Sequence, residues 1–498
     1  LAQFLVISCF LAIYAHDVLD ASLLEPSWLG AACFFAGLAI LVGVVFWAGA
    51  RAARRLDVGG NLEAATGADW TGAATRVAIA AWHVVGVMVL GWAGLVRSYT
   101  GDLLLVDELL IILPAMAAMS LTWAAVYPVD RRIHEAILVR YLDAGEPFAP
   151  PLTRAQFTFS KVRHNLLLAL LPLSLLMGWS ECVEHGAKMA VHAARDAARG
   201  GPDTLLAQLG ARENLLAYVI PLTQLVGVAI IMSAVPVIMR RVWDTKPLDR
   251  GPLRDGILAA CRRWNVRVRE LLVWRTHGTM VNGAVLGFIA PLRYILLTDR
   301  LLETMTWPHI EAVTAHEIAH VKLRHLPWLV ASILAAMAVG GVASELLLRD
   351  VMGFDLEQGG GAVAAIVMSL SLVVLVIGPV SRVFERQADA FAAKHLSATV
   401  APNAAPAAGD PGGVDVVTPE GAETMVGALQ AVANLNGIPV HRWSFRHGSI
   451  ADRQQHLRAL AGQPTEGLRI DRAARRVKRA AALTLAALIV IAVVAELL

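Results

Sequence analysis

Residues 313–325 read VTAHEIAHVKLRH, and within them His316, Glu317 and His320 form the pattern His-Glu-x-x-His. On a helix of 3.6 residues per turn, positions four apart share a face. His316 and His320 can then offer imidazole nitrogens to one ion, as tetrahedral zinc with nitrogen and oxygen ligands requires. Glu317 lies beside the first of them, where a carboxylate reaches a metal-associated water without binding the metal. The competing reading is a surface helix that carries two histidines in a basic loop. The four cysteines, Cys9, Cys33, Cys182 and Cys261, are scattered without a Cys-x-x-Cys pair. They suggest neither a disulfide framework nor a thiolate site, so any metal here takes nitrogen and oxygen ligands.

A zinc site needs a third protein ligand and keeps a fourth position for water. The best source is SRVFERQADAFAAKH at 381–395, where Glu385 and Asp389 are four residues apart. Between this segment and the histidines lie two apolar stretches, 326–348 and 362–381, joined by a short loop. They are expected to form an antiparallel hairpin whose ends bring Glu385 to His316 and His320. Asp389, one turn on, can accept the remaining imidazole N–H and orient a ligand. In isolation, ERQAD reads as an ordinary juxtamembrane helix of mixed charge.

The rest of the chain fixes the setting. Of 498 residues, 57% are hydrophobic and 17% charged, well below the quarter typical of soluble domains, which points to a polytopic membrane protein. A net charge of +3 offers no argument for nucleic-acid binding. Besides an apolar run at 1–15, taken as a truncated first span rather than a signal peptide, stretches 28–50, 75–96, 105–128, 165–180, 215–239, 326–348, 362–381 and 478–498 are candidates for crossing a bilayer. Loops 51–74, 129–164, 240–325 and 382–477 carry clustered arginine and lysine. Loop 16–27 has Asp17, Asp20 and Glu25 without a basic residue, and 349–361 has only Arg349. The positive-inside rule then places the N-terminus, 240–325 and 382–477 in the cytoplasm. β-type runs near 269–274, 284–289 and 293–298 predict a small antiparallel sheet. A helix should follow, with Thr306 near its cap and Pro308 in its first turn. Segment 399–421, rich in Ala, Pro and Gly, reads as a flexible insert.

HEIAHVKLRH followed by FERQADAFA resembles the integral-membrane zinc metallopeptidases of the CAAX prenyl endopeptidase and HtpX-like family. VNGAVLGFIAPLRYILLTDRLLETMTWPHIEAVTAHE is similar to that family's Asn-containing strand and zinc helix. RHGSIADRQQHL is similar to its late His-Pro…Arg element, with Gly448 where proline is usual. The likeness covers about 250–460 and leaves 1–239 unmatched. It implies His316, His320 and Glu385 as ligands of one zinc ion per chain, Glu317 as general base and Asp389 as the group behind a ligand. It also implies His447 and Arg453 near the oxyanion and the ligand carboxylate, and Asn282 on an edge strand that pairs with extended substrate.

The expected architecture is a predominantly α-helical polytopic membrane protein with a small α+β zincin-like catalytic domain on the cytoplasmic face. A bundle of about six spans at 1–239 precedes a metallopeptidase domain at 240–477, interrupted by the hairpin and the insert, and a last transmembrane helix at 478–498. The expected activity is zinc-dependent hydrolysis of peptide bonds in membrane or membrane-proximal polypeptides, in quality control or prenyl-type processing. The expected partners are a polypeptide substrate and the lipid bilayer, with no nucleic acid and no statement on oligomeric state. The Ala/Gly/Arg-rich composition suggests a bacterial inner membrane. Two rival classes are a receptor or signalling peptidase whose N-terminal bundle senses a ligand, and a transporter with a relic zinc domain; intact Glu317 argues against the second. Of the other titratable residues, His83 falls mid-span, where a polar relay and a packing hydrogen bond are both open. Glu181, Glu184 and His185 read as a solvated loop. His325 reads equally as part of an extended motif or as a surface histidine at a helix end.

Overall fold

The computed structural model describes residues 2–19, 24–59, 62–101, 103, 105–143, 152–200, 213–278, 280–356, 359–400 and 415–497. The chain divides into two compact units, Leu1–Val235 and Pro236–Leu498. Asp20 and most of the expected insert, 401–414, lie outside the described residues.

The first unit is helical: α1 (Ala2–Leu19), α2 (Trp28–Gly59), α3 (Leu62–Met88), α4 (Trp92–Thr100), α5 (Val106–Asp143), α6 (Arg154–Asn165), α7 (Leu167–Gly200) and most of α8 (Glu213–Val242). Phe34, Ile79, Ile111, Ile112 and Met119 are fully buried in its core. His83 is buried there too, its ring tilted against Phe34. Two sequence expectations change. The 75–96 stretch is not one straight span, because the chain bends by 63° between α3 and α4. Gly91 takes φ +68° at the bend, with the backbone of Leu24 and Pro26 about 3.0 Å from where a Cβ would stand; only glycine adopts that conformation in that space at little cost. Glu181, Glu184 and His185 sit on α7 rather than in a loop. Glu181 accepts a 2.6 Å hydrogen bond from the Leu105 N–H beside the start of α5.

In the second unit, β1 (Thr245–Pro247), α9 (Pro252–Arg263), β2 (Glu270–Trp274), β3 (Gly283–Leu286), β4 (Tyr294–Thr298) and α10 (Asp299–Thr304) lead to α11 (Trp307–Lys322). Then come α12 (His325–Ser344), a π-helical turn (Glu345–Val351), α13 (Gly359–Val400), α14 (Pro419–Leu435), α15 (Ile450–Arg458) and α16 (Arg469–Leu497). The sheet order is β1-β2-β4-β3. It is mixed rather than antiparallel, because β2 and β4 pair in parallel. The loop after β2 carries the chain past the place β4 later fills, so β3 forms on the far side and β4 inserts between them. Asp299 holds that loop, accepting from the Thr276 hydroxyl at 2.6 Å and from the His277 N–H at 2.8 Å.

Ile295, Leu297, Ile310, Ala315, Ile318, Ala388 and Met425 form one buried core beneath the sheet. Alanines at 315, 319, 388 and 392 are almost fully buried where α11 and α13 pack, and such small side chains permit close helix approach. The α12–α13 hairpin also closes tightly, since a Cβ on Gly340 would meet the Ser369 backbone at 2.7 Å. The distal end of the expected insert is ordered: Val417 is fully buried, and Thr418 caps α14 by accepting from the Gly421 N–H.

Among the described residues, seven helices are long and apolar enough to cross a membrane, or eight if the bent α3–α4 pair counts as one span. Stretch 165–180 belongs to a longer candidate, Leu167–Ala193, and 362–381 lies within a candidate running Gly359–Thr399. The chain is a multi-pass membrane protein.

Candidate metal centre

Local sequence builds the first wall. Thr306 adopts the extended N-cap conformation and Pro308 occupies the first turn of α11, where its missing N–H costs nothing. The helix buries Ala312, Ala315 and Ala319 on the core and turns His316, Glu317 and His320 toward a cleft. Gly283 lets edge strand β3 lie close, because a Cβ there would stand 2.8 Å from Val313 and 3.4 Å from the Glu317 side chain.

The second wall comes from far along the chain. α13 continues unbroken from its apolar part into FERQADAF, so the element that forms half of the hairpin also carries Glu385 and Asp389. The Nε2 atoms of His316 and His320 are 3.2 Å apart. Glu385 Oε2 is 3.6 Å from His316 Nε2, and Glu385 Oε1 is 3.7 Å from His320 Nε2. An ion held tetrahedrally at zinc–nitrogen and zinc–oxygen distances sets its ligands about 3.4 Å apart. Among the described residues these three form the one group of His, Cys, Asp and Glu whose donor atoms converge in this way. Their chemistry, two imidazoles and a carboxylate, fits zinc.

Behind the donors, His316 Nδ1 lies 2.9 Å from Asp389 Oδ1. Arg453 grips Asp389 with both arms, Nε to Oδ2 at 2.8 Å and Nη2 to Oδ1 at 2.7 Å, and its Nη1 is 3.6 Å from Glu385 Oε2. His447 Nδ1 is 3.0 Å from the same Glu385 oxygen. Asn282, exposed at the start of β3, exchanges two hydrogen bonds of 3.0 Å with Thr298 and lines the cleft with Gly283 and Val285. The cleft encloses about 440 Å³. The sequence-expected residues 282, 316, 317, 320, 385, 447 and 453 all line it, and Asp389 stands directly behind.

Gly448 has a structural reason. Its φ is +73°, and its N–H donates to the Ser444 carbonyl at 2.8 Å while its own carbonyl accepts from the Ser444 N–H. Proline can supply neither that φ nor that donor, so the turn bearing His447 is built differently from the proline-containing element it resembles.

Electrostatics separate the two histidines in the metal-free protein. Burial opposes charge on His316, yet the Asp389 and Glu385 carboxylates outweigh it and push the group up to about 10. Burial and the neighbouring charged His316 push His320 down to about 3. Burial raises the Glu317 carboxyl, with His316 and the Val285 backbone pulling the other way. At neutral pH the first imidazole therefore carries a proton that a metal must displace, and the second does not.

Sequence reasoning left His325 undecided and missed Gln387 and Asp471. His325 is 3% exposed, its ring stacked on Phe384 at 4.6 Å and its Nδ1 3.0 Å from His320 Nδ1. Its position five residues after His320 was the available signal, but that spacing does not share a helical face unless the helix breaks. It does break: Arg324 adopts φ +55° between α11 and α12.

Comparison with known proteins agrees with this geometry. Residues 270–461 match the model of peptidase family M48. A CAAX prenyl protease 1 homolog of Arabidopsis thaliana is 28% identical over 179 residues, covering 33% of this chain and 42% of that protein. The homolog of Oryza sativa subsp. japonica is 25% identical over 175 residues, covering 33% and 41%. The chain thus spans about two-fifths of the length of these curated relatives. The crystal structure of S. mikatae Ste24p aligns over 87% of this chain and all of its own, at 14% identity and a TM-score of 0.35, a likeness too weak to argue from. Residues 270–461, which hold the candidate metal centre, are thus similar to the peptidases of family M48.

Proposed function

We propose that this chain is a membrane-embedded zinc endopeptidase that hydrolyses peptide bonds of membrane or membrane-proximal polypeptides. The observation that carries the reading is the convergence of His316, His320 and Glu385 at tetrahedral spacing, with Glu317 beside them at the mouth of a cleft. These three residues would hold one zinc ion per chain, which supplies Lewis acidity toward a carbonyl and toward water.

The chain's own groups do the rest. Glu317 takes the proton of the attacking water and delivers it to the departing amine. Its raised pKa suits a base that must become an acid within one turnover. His447 faces the oxyanion as a donor, and the Ser444–Gly448 turn holds it in place. Asp389 orients His316, and Arg453 keeps Asp389 ionised and fixed. An extended substrate adds a strand along the free edge of β3, at Asn282–Val285. The basic loops support a cytoplasmic catalytic face, and composition supports a bacterial inner membrane. Quality control of membrane proteins is the proposed role.

The names of the plant relatives favour a second reading, cleavage near a prenylated C-terminal motif. Purified protein should contain zinc at one per chain and cleave casein in a chelator-sensitive manner. Zinc-free protein, or cleavage indifferent to chelator, would sink the main reading. Cleavage confined to a prenylated C-terminal peptide, with casein and unfolded membrane proteins spared, would replace the quality-control role by the second reading.

A further inference from the structure

His316 and His320 are oriented by different means. His316 leans on a carboxylate, Asp389. His320 leans on another histidine, and the contact continues: His325 Nε2 is 3.0 Å from Gln387 Oε1, and Gln387 Nε2 donates to Asp471 Oδ1 at 2.7 Å. One chain of polar contacts therefore runs from the metal centre through α12 and α13 to the first turn of α16.

Proton bookkeeping gives this chain a single direction. The Asp471 carboxylate only accepts, so the Gln387 amide nitrogen faces it and the amide oxygen faces His325. That oxygen only accepts, so His325 must carry its hydrogen on Nε2. A neutral imidazole then accepts at Nδ1, and His320 must donate from its own Nδ1. This leaves His320 Nε2 without a hydrogen, and Nε2 is the atom that faces His316 Nε2 and Glu385. The opposite tautomer would place two N–H groups, or two lone pairs, against each other inside a buried site.

We propose that His325, Gln387 and Asp471 are positioning residues that lock His320 in the tautomer able to bind the metal. The proposal rests on the reading of His320 as a zinc ligand. Three features prepare the chain for this task. His325 and Gln387 are 3% and 6% exposed, so water does not compete for their hydrogen bonds. Stacking on Phe384, with planes 1° apart, fixes the His325 ring. The left-handed conformation of Arg324 turns α12 so that His325 faces back toward His320. Docking of α16 through Asp471 is thereby coupled to metal affinity at a site that α16 does not line.

The test uses the full chain in detergent, stripped of metal, with zinc affinity measured by chelator competition and ligand geometry by the visible spectrum of bound cobalt. His325→Phe retains a ring for the Phe384 stack but cannot accept from His320. Zinc binding should weaken about 10- to 100-fold, the range for loss of a group behind a ligand, and the cobalt spectrum should shift. His325→Asn can place a side-chain oxygen near the position of Nδ1, and it should recover most of the affinity. Should His325→Phe fail to fold, Gln387→Leu removes the acceptor for His325 at similar size and should weaken zinc in the same direction. Asp471→Asn keeps an acceptor oxygen and should bind nearly as wild type. Wild-type affinity in His325→Phe or Gln387→Leu overturns the proposal. So does a loss that His325→Asn does not repair, since that would mark a packing role. In either case wild-type protein still binds zinc, whereas wild-type protein that binds none would overturn the zinc reading itself.

Discussion

Among the described residues, each unit of this protein holds a cluster of opposite charges that is at least partly buried, and the two clusters are completed in different ways. In the N-terminal unit, Arg97 on α4 meets Asp17 on α1 and Asp107 and Glu108 on α5, with 2.8 Å to Asp107 and 3.4 Å to Glu108. Its guanidinium sits at the centre and the acids surround it, so the cation is part of the chain. In the C-terminal unit, Arg453 stands at the back, tied to Asp389, and the donor atoms of His316, His320 and Glu385 point at one another across 3.2–3.7 Å. That convergence is the arrangement a metal ion would need. A buried charge cluster by itself is therefore weak evidence of function; the position of its positive charge is the informative feature.

The contrast can be broken at several points. The largest expected effect is on turnover. Glu317→Gln removes an inward-facing base but no ligand, so proteolysis should fall about 10²–10⁴-fold with zinc still at one per chain. Wild-type cleavage by the zinc-loaded variant would refute the assignment of the base. Next is stability. Arg453→Met leaves Asp389 buried with only His316 as an ion partner and should cost about 3–5 kcal/mol, read as a lowered denaturation midpoint in detergent. Arg97→Met should cost less, about 1–3 kcal/mol, because Arg97 and Asp17 both reach the surface. The reverse ranking would mean that the N-terminal cluster is the more tightly coupled of the two.

The third effect is on metal affinity and pH. His316 is raised to about 10 without metal, so below that pH zinc displaces one proton there; His320, lowered to about 3, contributes none near neutrality. Affinity should rise about tenfold per pH unit between 6 and 8. Calorimetry in buffers of different ionisation enthalpy would count the protons released. A flat pH dependence would show that the carboxylates do not hold His316 protonated. The smallest effect is at the His447 turn. Gly448→Pro loses a left-handed residue and a donor, at about 1–3 kcal/mol, and should lower kcat several-fold while zinc stays bound. Unchanged kcat would mean that this turn does not position His447.

Much of the site was legible because it is periodic. The i, i+4 pairs His316/His320 and Glu385/Asp389 announce shared helical faces, and Pro308 marks a helix start. The apolar stretches announced most of the membrane helices. The sheet was less legible: three runs of β-type residues were visible, but strand order depends on a loop that Asp299 pins from 22 residues away, and nothing in the runs encodes parallel pairing. The 75–96 stretch misled because hydropathy is averaged over a window and does not register the bend at Gly91.

By itself, the sequence determined which side chains share a helical face, because a helix repeats every 3.6 residues whatever surrounds it. Only the tertiary structure decided that Arg453 would hold Asp389 across 64 residues, that Gln387 would join His325 to Asp471, and that Gly448 could replace proline. Those contacts depend on how helices pack and where the backbone turns. Packing of that kind is set by the volume and shape of many side chains together, and no short stretch of sequence carries it.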